Sequence, residues 1–418
     1  MPRSLFLPIL ILCGMALADD VTLELGGHTK FRLIAQSFAE ESLFRDLAGA
    51  TSVDLEGDLR IKFSARRDRW SFDTAWQLFA LNGDSIEWTR GLGPAADLLI
   101  ERLPNDERRL FDLTEVIHDE GRNAVIHRLD RFSVAYTSEK AVARFGRQAL
   151  SWGNGLFYSP MDLVNPFDPT AIDTEFKTGD DMIYLQYLRD SGDDVQGAVV
   201  FRRNPVTGDV AADEGTVALK YHTFAGGNEY DILIAESYGV TVFGIGGVFS
   251  IGGAVLRGDV VVTNTADGAR VQVVTNLGYS WIWGGSNVSG VLEVYFNGFG
   301  QHGGKYDPAS LAANPELLER LARREIFALG RYYVAGSLSV EMSPLWTVTP
   351  TILANLGDPS GLLQFVTRYS VSDNITFLGS LNVPLGANGS EFGGIETEIV
   401  GLYLSTGASM FAQLAWYF

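Results

Sequence analysis

The stretch that decides the fold is "ASMFAQLAWYF", residues 408–418. Met410, Ala412, Leu414, Trp416 and Phe418 recur at every second position, with Ser409 and Gln413 in the opposite register. Strict alternation is the mark of a strand with one apolar face. Water-soluble domains usually keep their termini polar. Here the apolar face runs to the last residue of a chain whose formal charge is −19. A face of that kind is stable only against hydrocarbon or a protein interior.

The same rhythm recurs along most of the chain. In "LEGDLRIKFSAR", Leu55, Leu59, Ile61 and Phe63 alternate with Glu56, Asp58, Arg60, Lys62 and Ser64. Trp70, Phe72, Trp76 and Leu78 repeat the pattern, as do Tyr332, Val334, Leu338, Val340 and Met342. Marking such segments from 21–36 to 405–418 gives about eighteen strands, with sixteen as the near alternative; most are long enough to cross a hydrocarbon layer when tilted. Their connections alternate in length. Turns such as "RRDR", "AGGN", "GGS" and "SD" are short, whereas 37–52, 83–128, 150–180, 300–330 and 386–404 are long. Short turns on one side and long loops on the other are the signature of a bacterial outer-membrane barrel. The fold expected is all-β: a transmembrane antiparallel β-barrel with short periplasmic turns and long extracellular loops. A closed barrel pairs every backbone polar group internally, as lipid requires.

The first residues agree with this. Arg3, the apolar "LFLPILILCGMAL" and Ala16-Leu17-Ala18 read as a secretory signal peptide over 1–18, leaving 19–418 as the barrel. Cleavage there removes the only cysteine, Cys13, so the processed chain holds no disulfide. The strong acidity argues against nucleic acid as a partner. The expected partners are outer-membrane lipid and lipopolysaccharide, together with the barrel-insertion machinery, which would read the strand ending at Phe418. The expected location is the outer membrane of a Gram-negative bacterium.

One long connection differs in composition. "RFGRQALSWGNGLFYSPMDLVNPFDPTAIDTEFKTGDDM", residues 144–182, combines Trp152, Phe157, Tyr158, Met161 and Phe167 with three prolines. Surface loops are normally polar, so a loop this apolar is expected to fold back into the barrel as a constriction. Arg147, Trp152, Asp162, Asn165, Asp168, Asp173, Glu175, Lys177 and Asp180 are then the expected pore residues. Register places Arg32, Arg60, Lys62, Arg144, Lys220, Arg257, Arg270, Arg331 and Arg368 on the lumen face, with Lys30 and Arg66. Glu24, Glu56, Asp58, Asp73, Asp259, Glu293 and Glu341 are the acids on that face. Bases outnumber acids in this wall, and rings of charge set ion preference in a pore. A modest anion preference follows. In the 300–330 loop, Asn314, Pro315 and Glu316 predict a helix start; a helical turn is expected around "NDERRLFDL" at 105–113.

"GRQ" followed by "SWGNGLFYSPMDLVNPFDP", with "GDPSGLLQFVTRYSVSDN" and "LGANGSEFGG" later on, resembles proteobacterial outer-membrane barrels of the alginate-export and porin-like families. The resemblance covers roughly 140–185 and 345–418. It implies a channel whose inward loops gate the lumen, without naming the solute.

No catalytic or cofactor motif emerges. His28, His118, His127, His222 and His302 form no HxxxH or HxH pair, so no zinc-like cluster exists and no cofactor is expected. The oxygens of "MDLVNPFDP" and "TGDD" lack the spacing of a known calcium loop. The leading reading is a porin-like channel for small or oligomeric solutes, gated by an inward-folded loop at 150–180. The alternatives are an export pore working with periplasmic partners, and an occluded structural barrel or outer-membrane hydrolase.

Overall fold

The fold is taken from a computed structural model, which describes residues 21–92 and 103–418; the expected signal peptide lies outside them. The strands are β1 (Thr22–Ser37), β2 (Thr51–Arg67), β3 (Trp70–Gly83), β4 (Thr114–Glu120), β5 (Asn123–Thr137), β6 (Ala141–Gln148), β7 (Asp180–Leu188), β8 (Asp194–Val200), β9 (Thr216–Ala225), β10 (Asn228–Ser237) and β11 (Val240–Ile251). They continue with β12 (Ala254–Thr265), β13 (Gly268–Trp283), β14 (Ser286–Asn297), β15 (Tyr332–Ser343), β16 (Trp346–Asn355), β17 (Ser360–Ser372), β18 (Ile375–Leu385), β19 (Ile395–Glu396), β20 (Tyr403–Leu404) and β21 (Ser409–Tyr417).

All but β4, β19 and β20 form one closed antiparallel barrel of eighteen strands. Each strand pairs with the next, and β21 pairs with both β18 and β1. The seam is anchored by reciprocal hydrogen bonds, Gly27 N to Phe418 O at 2.8 Å and Phe418 N to Gly27 O at 3.1 Å. Connections on the side of the two chain ends hold two to five residues. The opposite side carries the long loops.

The faces are inverted relative to a water-soluble protein. Leu25, Phe31, Leu55, Leu219, Ile232, Ile234, Phe243, Ile245 and Leu414 are exposed outward, Phe31 at 63%. Between them, Lys30, Asp58, Arg60, Asp231, Asp259 and Glu293 are buried inward. An apolar exterior around a charged interior suits a lipid environment. Trp70, Tyr279, Trp281, Trp346, Tyr369 and Trp416 sit on outward faces near the short-turn rim, as expected of an interfacial girdle.

Two sequence expectations need correction. The 83–128 connection is not wholly loop. It contains helix α2 (Asp84–Thr89) and β4, and β5 begins at Asn123 and not near 129. The reason is that β5 pairs along β3 and carries β4 on its other upper edge, so its polar upper half is still laddered. Residues 105–113 are not helical. They lie in turns bonded to the wall, with Arg109 bridging Arg202. The 386–404 connection contains only the short β19–β20 ladder, so the barrel count stays even.

On the loop side, α1 (Leu43–Ala48), α3 (Pro308–Ala312) and α4 (Pro315–Ala322) complete the helices. Helix α4 starts where the sequence places it, with Asn314 Oδ1 accepting Leu317 N at 3.3 Å. Phe299, Tyr306, Leu317, Leu321, Ile326 and Leu329 pack with Ile395, giving the 298–331 and 386–408 loops a shared apolar core. No described helix is long and apolar enough to cross a membrane; the strands do that here.

Candidate functional site

Residues 149–179, between β6 and β7, lie inside the barrel. Their partners are inward-facing side chains on strands all round the wall. Trp152 Nε1 donates to Gln196 on β8 at 2.7 Å. Asn154 donates through N and Nδ2 to Asp259 on β12, both at 2.7 Å. Glu293 on β14 accepts the backbone N–H groups of Leu156, Phe157 and Tyr158 at 2.6, 3.0 and 2.8 Å. The Tyr158 ring stacks on Tyr295 at 4.6 Å and meets Tyr333 of β15 at 5.2 Å. Gln364 on β17 donates to Thr170 O at 2.8 Å. Asp173 pairs with Lys30 and Arg32 on β1 at 2.6 and 3.2 Å, and Tyr417 of β21 donates to Glu175 at 2.7 Å. Gly179 N then reaches Asp130 of β5 at 3.4 Å.

The segment therefore touches the wall all round the lumen as a folded belt. After Tyr158 it doubles back, so that Met161 packs on β10–β12 and Val164 on Met182 and Val200, before it crosses to β17 and β1. Gly153 suits the sharp entry: its φ is 98°, and a Cβ there would sit 3.1 Å from the Asp259 carboxylate.

The belt closes on itself at Lys177. Its Nζ donates to Leu150 O at 2.5 Å, Ser151 Oγ at 3.1 Å and Asp162 at 2.5 Å, tying entry, middle and exit together. Burial raises the Asp162 carboxyl to about 6 against the opposing pull of Lys177, and burial also lowers Lys177. At Asp173, burial disfavours the charge, but the hydrogen bond and charge of Lys30 outweigh it and hold the carboxyl at about 2.

The lumen is chemically two-sided. Along β8–β12 the belt's Trp152 and Met161 pack on Ala198, Ala218, Leu233, Ala235, Val242 and Val261, an apolar patch bordered by Gln196, the Lys220–Asp231 pair and Asp259. Along β1–β5 it is charged. Arg60 pairs with Asp130 at 2.5 Å, and Arg131 and Arg128 approach the same carboxylate at 2.8 and 3.9 Å. A bulge opposite Ala75 and Trp76 leaves Asp130 unpaired in the ladder and turns it inward beside Arg131. Bulges re-aim side chains in this way.

The expected pore residues fall into four groups. Asp173 and Glu175 join Lys30, Arg32, Arg60 and Lys62 in one cluster around Phe176. Asp162 and Lys177 form the clasp, with Trp152 beside it. Arg147, bound to Asp106 and Asp181, and Asp180, bound to Arg202, are fully buried at the root of the belt and anchor it. Asn165 and Asp168 bond within the belt, to Thr178 O and to Thr170. Of the other wall bases, Lys220 pairs with Asp231, Arg270 with Glu316 of α4, and Arg331 donates to Gly300 O. Arg144 and Arg257 are half-buried, and Arg368 and Lys62 are exposed to the lumen. Sequence reading missed Arg128, Asp130 and Arg131; the signal was three charges within "RLDRF", too dense for simple alternation.

A further group, also missed, joins the loops to the wall. Glu391 accepts Tyr333 Oη and Asn355 Nδ2, both at 2.6 Å, and Leu329 N at 2.8 Å. Burial raises its carboxyl to about 7, helped by nearby Asp358. Among the described residues, no three His, Cys, Asp or Glu side chains converge as metal ligands.

No family model and no curated protein sequence matches the chain. Solved structures do. The outer membrane protein opdK of Pseudomonas aeruginosa aligns at TM-score 0.53 and 8% identity, over 95% of this chain and 98% of its own. A BenF-like porin from Pseudomonas fluorescens Pf-5 aligns at 0.51 and 8%, over 94% and 98%. Wzi, a carbohydrate-binding barrel involved in group 1 capsule assembly in Escherichia coli, aligns at 0.52 and 10%, over 93% and 83%. Nothing in these three matches supports alginate export in particular. At such identities what is shared is the architecture: the chain has the fold of a porin-like outer-membrane β-barrel.

Proposed function

We propose that the protein is a porin-like channel of the Gram-negative outer membrane, reached by signal-peptide secretion and by recognition of the strand ending at Phe418. In this reading it passes small or oligomeric solutes, with a preference for anions. One observation carries the reading: a loop bound to the wall round its whole circumference, inside a closed barrel with a charged interior. A purely structural barrel has no need of a ring with one charged flank, whereas a selective pore does. The belt is the constriction. Lys62 and Arg368 are lumen-exposed bases in no ion pair among the described residues, and they tip a nearly balanced β1–β5 cluster toward positive charge.

The experiment is single-channel recording in planar bilayers. The native protein should conduct, with a reversal potential on the anion side in a salt gradient. Deleting 154–178 should raise the conductance severalfold. Absence of conductance from correctly folded native protein would favour the occluded barrel, to which the packed 298–331 and 386–408 loops lend some support. Unchanged conductance after the deletion would remove the belt from its role.

A further inference from the structure

Phe176 sits in a cage of positive charge. Its ring lies 4.6 Å from the Arg60 guanidinium, 5.2 Å from Lys62 Nζ and 5.3 Å from Lys30 Nζ, and His28 stacks on it at 5.1 Å. Two belt carboxylates precede it. Asp173 and Glu175 bind Lys30 Nζ at 2.6 and 2.8 Å, and Asp173 also reaches Arg32. The four residues Asp173–Phe176 thus present two carboxylates and one π face to the wall, the chemistry by which cations are bound.

The wall by itself is out of balance. Lys30, Arg32, Arg60, Lys62, Arg128 and Arg131 face Glu56, Asp58 and Asp130, six bases against three acids. The two belt carboxylates restore most of the balance. Beneath the ring, polar atoms remain unserved. His28 is fully buried, with Asp58 Oδ2 3.7 Å from its Nε2, and among the described residues neither its ring nitrogens nor the buried Arg60 Nε has a hydrogen-bond partner. Buried donors without partners are rare and call for an explanation. A site shaped for an oxyanion but filled by part of the protein's own chain accounts for all of these features.

We infer that Asp173–Phe176 is a built-in competing ligand, occupying an anion subsite on the β1–β2–β5 wall that a solute with two or more carboxylates takes by exchange. The inference rests on the channel reading for its purpose, but not for its test. Exchange costs little because each carboxylate lost to Lys30 and Arg32 is replaced by one of the solute's. Swinging Phe176 aside also frees Arg60, Lys62 and His28 to donate. The firmly ionised state of Asp173 marks the site as one suited to carboxylate.

The probe is citrate, titrated calorimetrically into detergent-purified barrel. Phe176→Ala, which leaves the ion pairs intact, and the double variant Asp173→Asn/Glu175→Gln should each bind citrate at least tenfold more tightly than the native chain. Adding Lys62→Gln to either should return the affinity most of the way. Folding is verified by slower migration of boiled than unboiled samples on gels. Equal citrate affinity in native and variant barrels overturns the inference, as does a gain that Lys62→Gln leaves untouched. In bilayers the same variants should show citrate block at correspondingly lower concentration. A native protein that fails to conduct refutes the channel and leaves the calorimetric result to decide the subsite.

Discussion

Asp162 is a belt carboxyl whose chemistry differs from its exposed counterpart. Its carboxyl lies at about 6, raised by burial. Between the ordinary value near 4 and 6, the folded chain therefore holds a proton that the unfolded chain does not. Acidification through that window stabilises the fold at this position, and the contribution is lost as pH rises past 6. A shift of this size corresponds to on the order of 3 kcal/mol. Urea unfolding in lipid vesicles should show native stability rising between pH 7 and pH 4.5 relative to Asp162→Asn. A parallel pH dependence in the two would contradict the assignment. Glu293 acts differently, as a fixed acceptor for three successive belt N–H groups. Glu293→Ala strands those donors, at a cost of about 2–4 kcal/mol. Residues 154–170 should then become cleavable by added protease while the barrel stays intact on gels.

At the scale of elements, the strands obey alternation where lipid and water are the two environments, and depart from it where the belt covers the inner face. "DVVVTNT" in β12 shows the departure. Val260 and Val262 face outward, and Val261 is 1% exposed on the inside, beneath Trp152 and Met161. The period-2 signal fades there because both faces are apolar. The loop-side elements depend on Glu391, which joins 386–408 to the end of the 298–331 loop and to the wall through β15 and β16. With its carboxyl raised to about 7, Glu391 is largely protonated below neutrality and charged above it, where it faces Asp358. Raising the pH from 6 to 8 should loosen this cap and increase the open probability in bilayers, and Glu391→Gln should abolish the dependence. A variant with the native pH response would show that the cap does not gate.

At the scale of the whole molecule, closure is the property that matters, since an open edge in hydrocarbon leaves backbone groups unpaired. The seam is testable because the only native cysteine is Cys13. Phe31 and Leu414 are direct partners across β1 and β21, both on the outward face. Phe31→Cys with Leu414→Cys should crosslink under mild oxidation and give a chain that keeps its compact, fast-migrating form after boiling until reductant is added. Failure to crosslink in a folded barrel would place the chain ends apart.

Alternation together with connection length pointed to a barrel of sixteen or eighteen strands, the side of its short turns and its apolar terminus, because lipid on one face and polar groups on the other leave a mark at every second residue; the ladders closing β21 on β1 and β18 decided eighteen. The composition of 144–182 likewise pointed to a buried loop, since so many apolar and aromatic residues need packing partners. Only the tertiary structure decided what that loop does to the charges. Arg147 and Asp180 are adjacent to the pore in sequence yet serve as buried anchors, because β6 and β7 bring Asp181, Asp106 and Arg202 around them. Asp130 and Arg131 enter the lumen together because of a bulge that sequence spacing does not reveal. Ion pairs between residues more than a hundred positions apart, such as Lys30 with Asp173, depend on the path of the belt round the wall. That path is set by long-range closure and not by any local pattern.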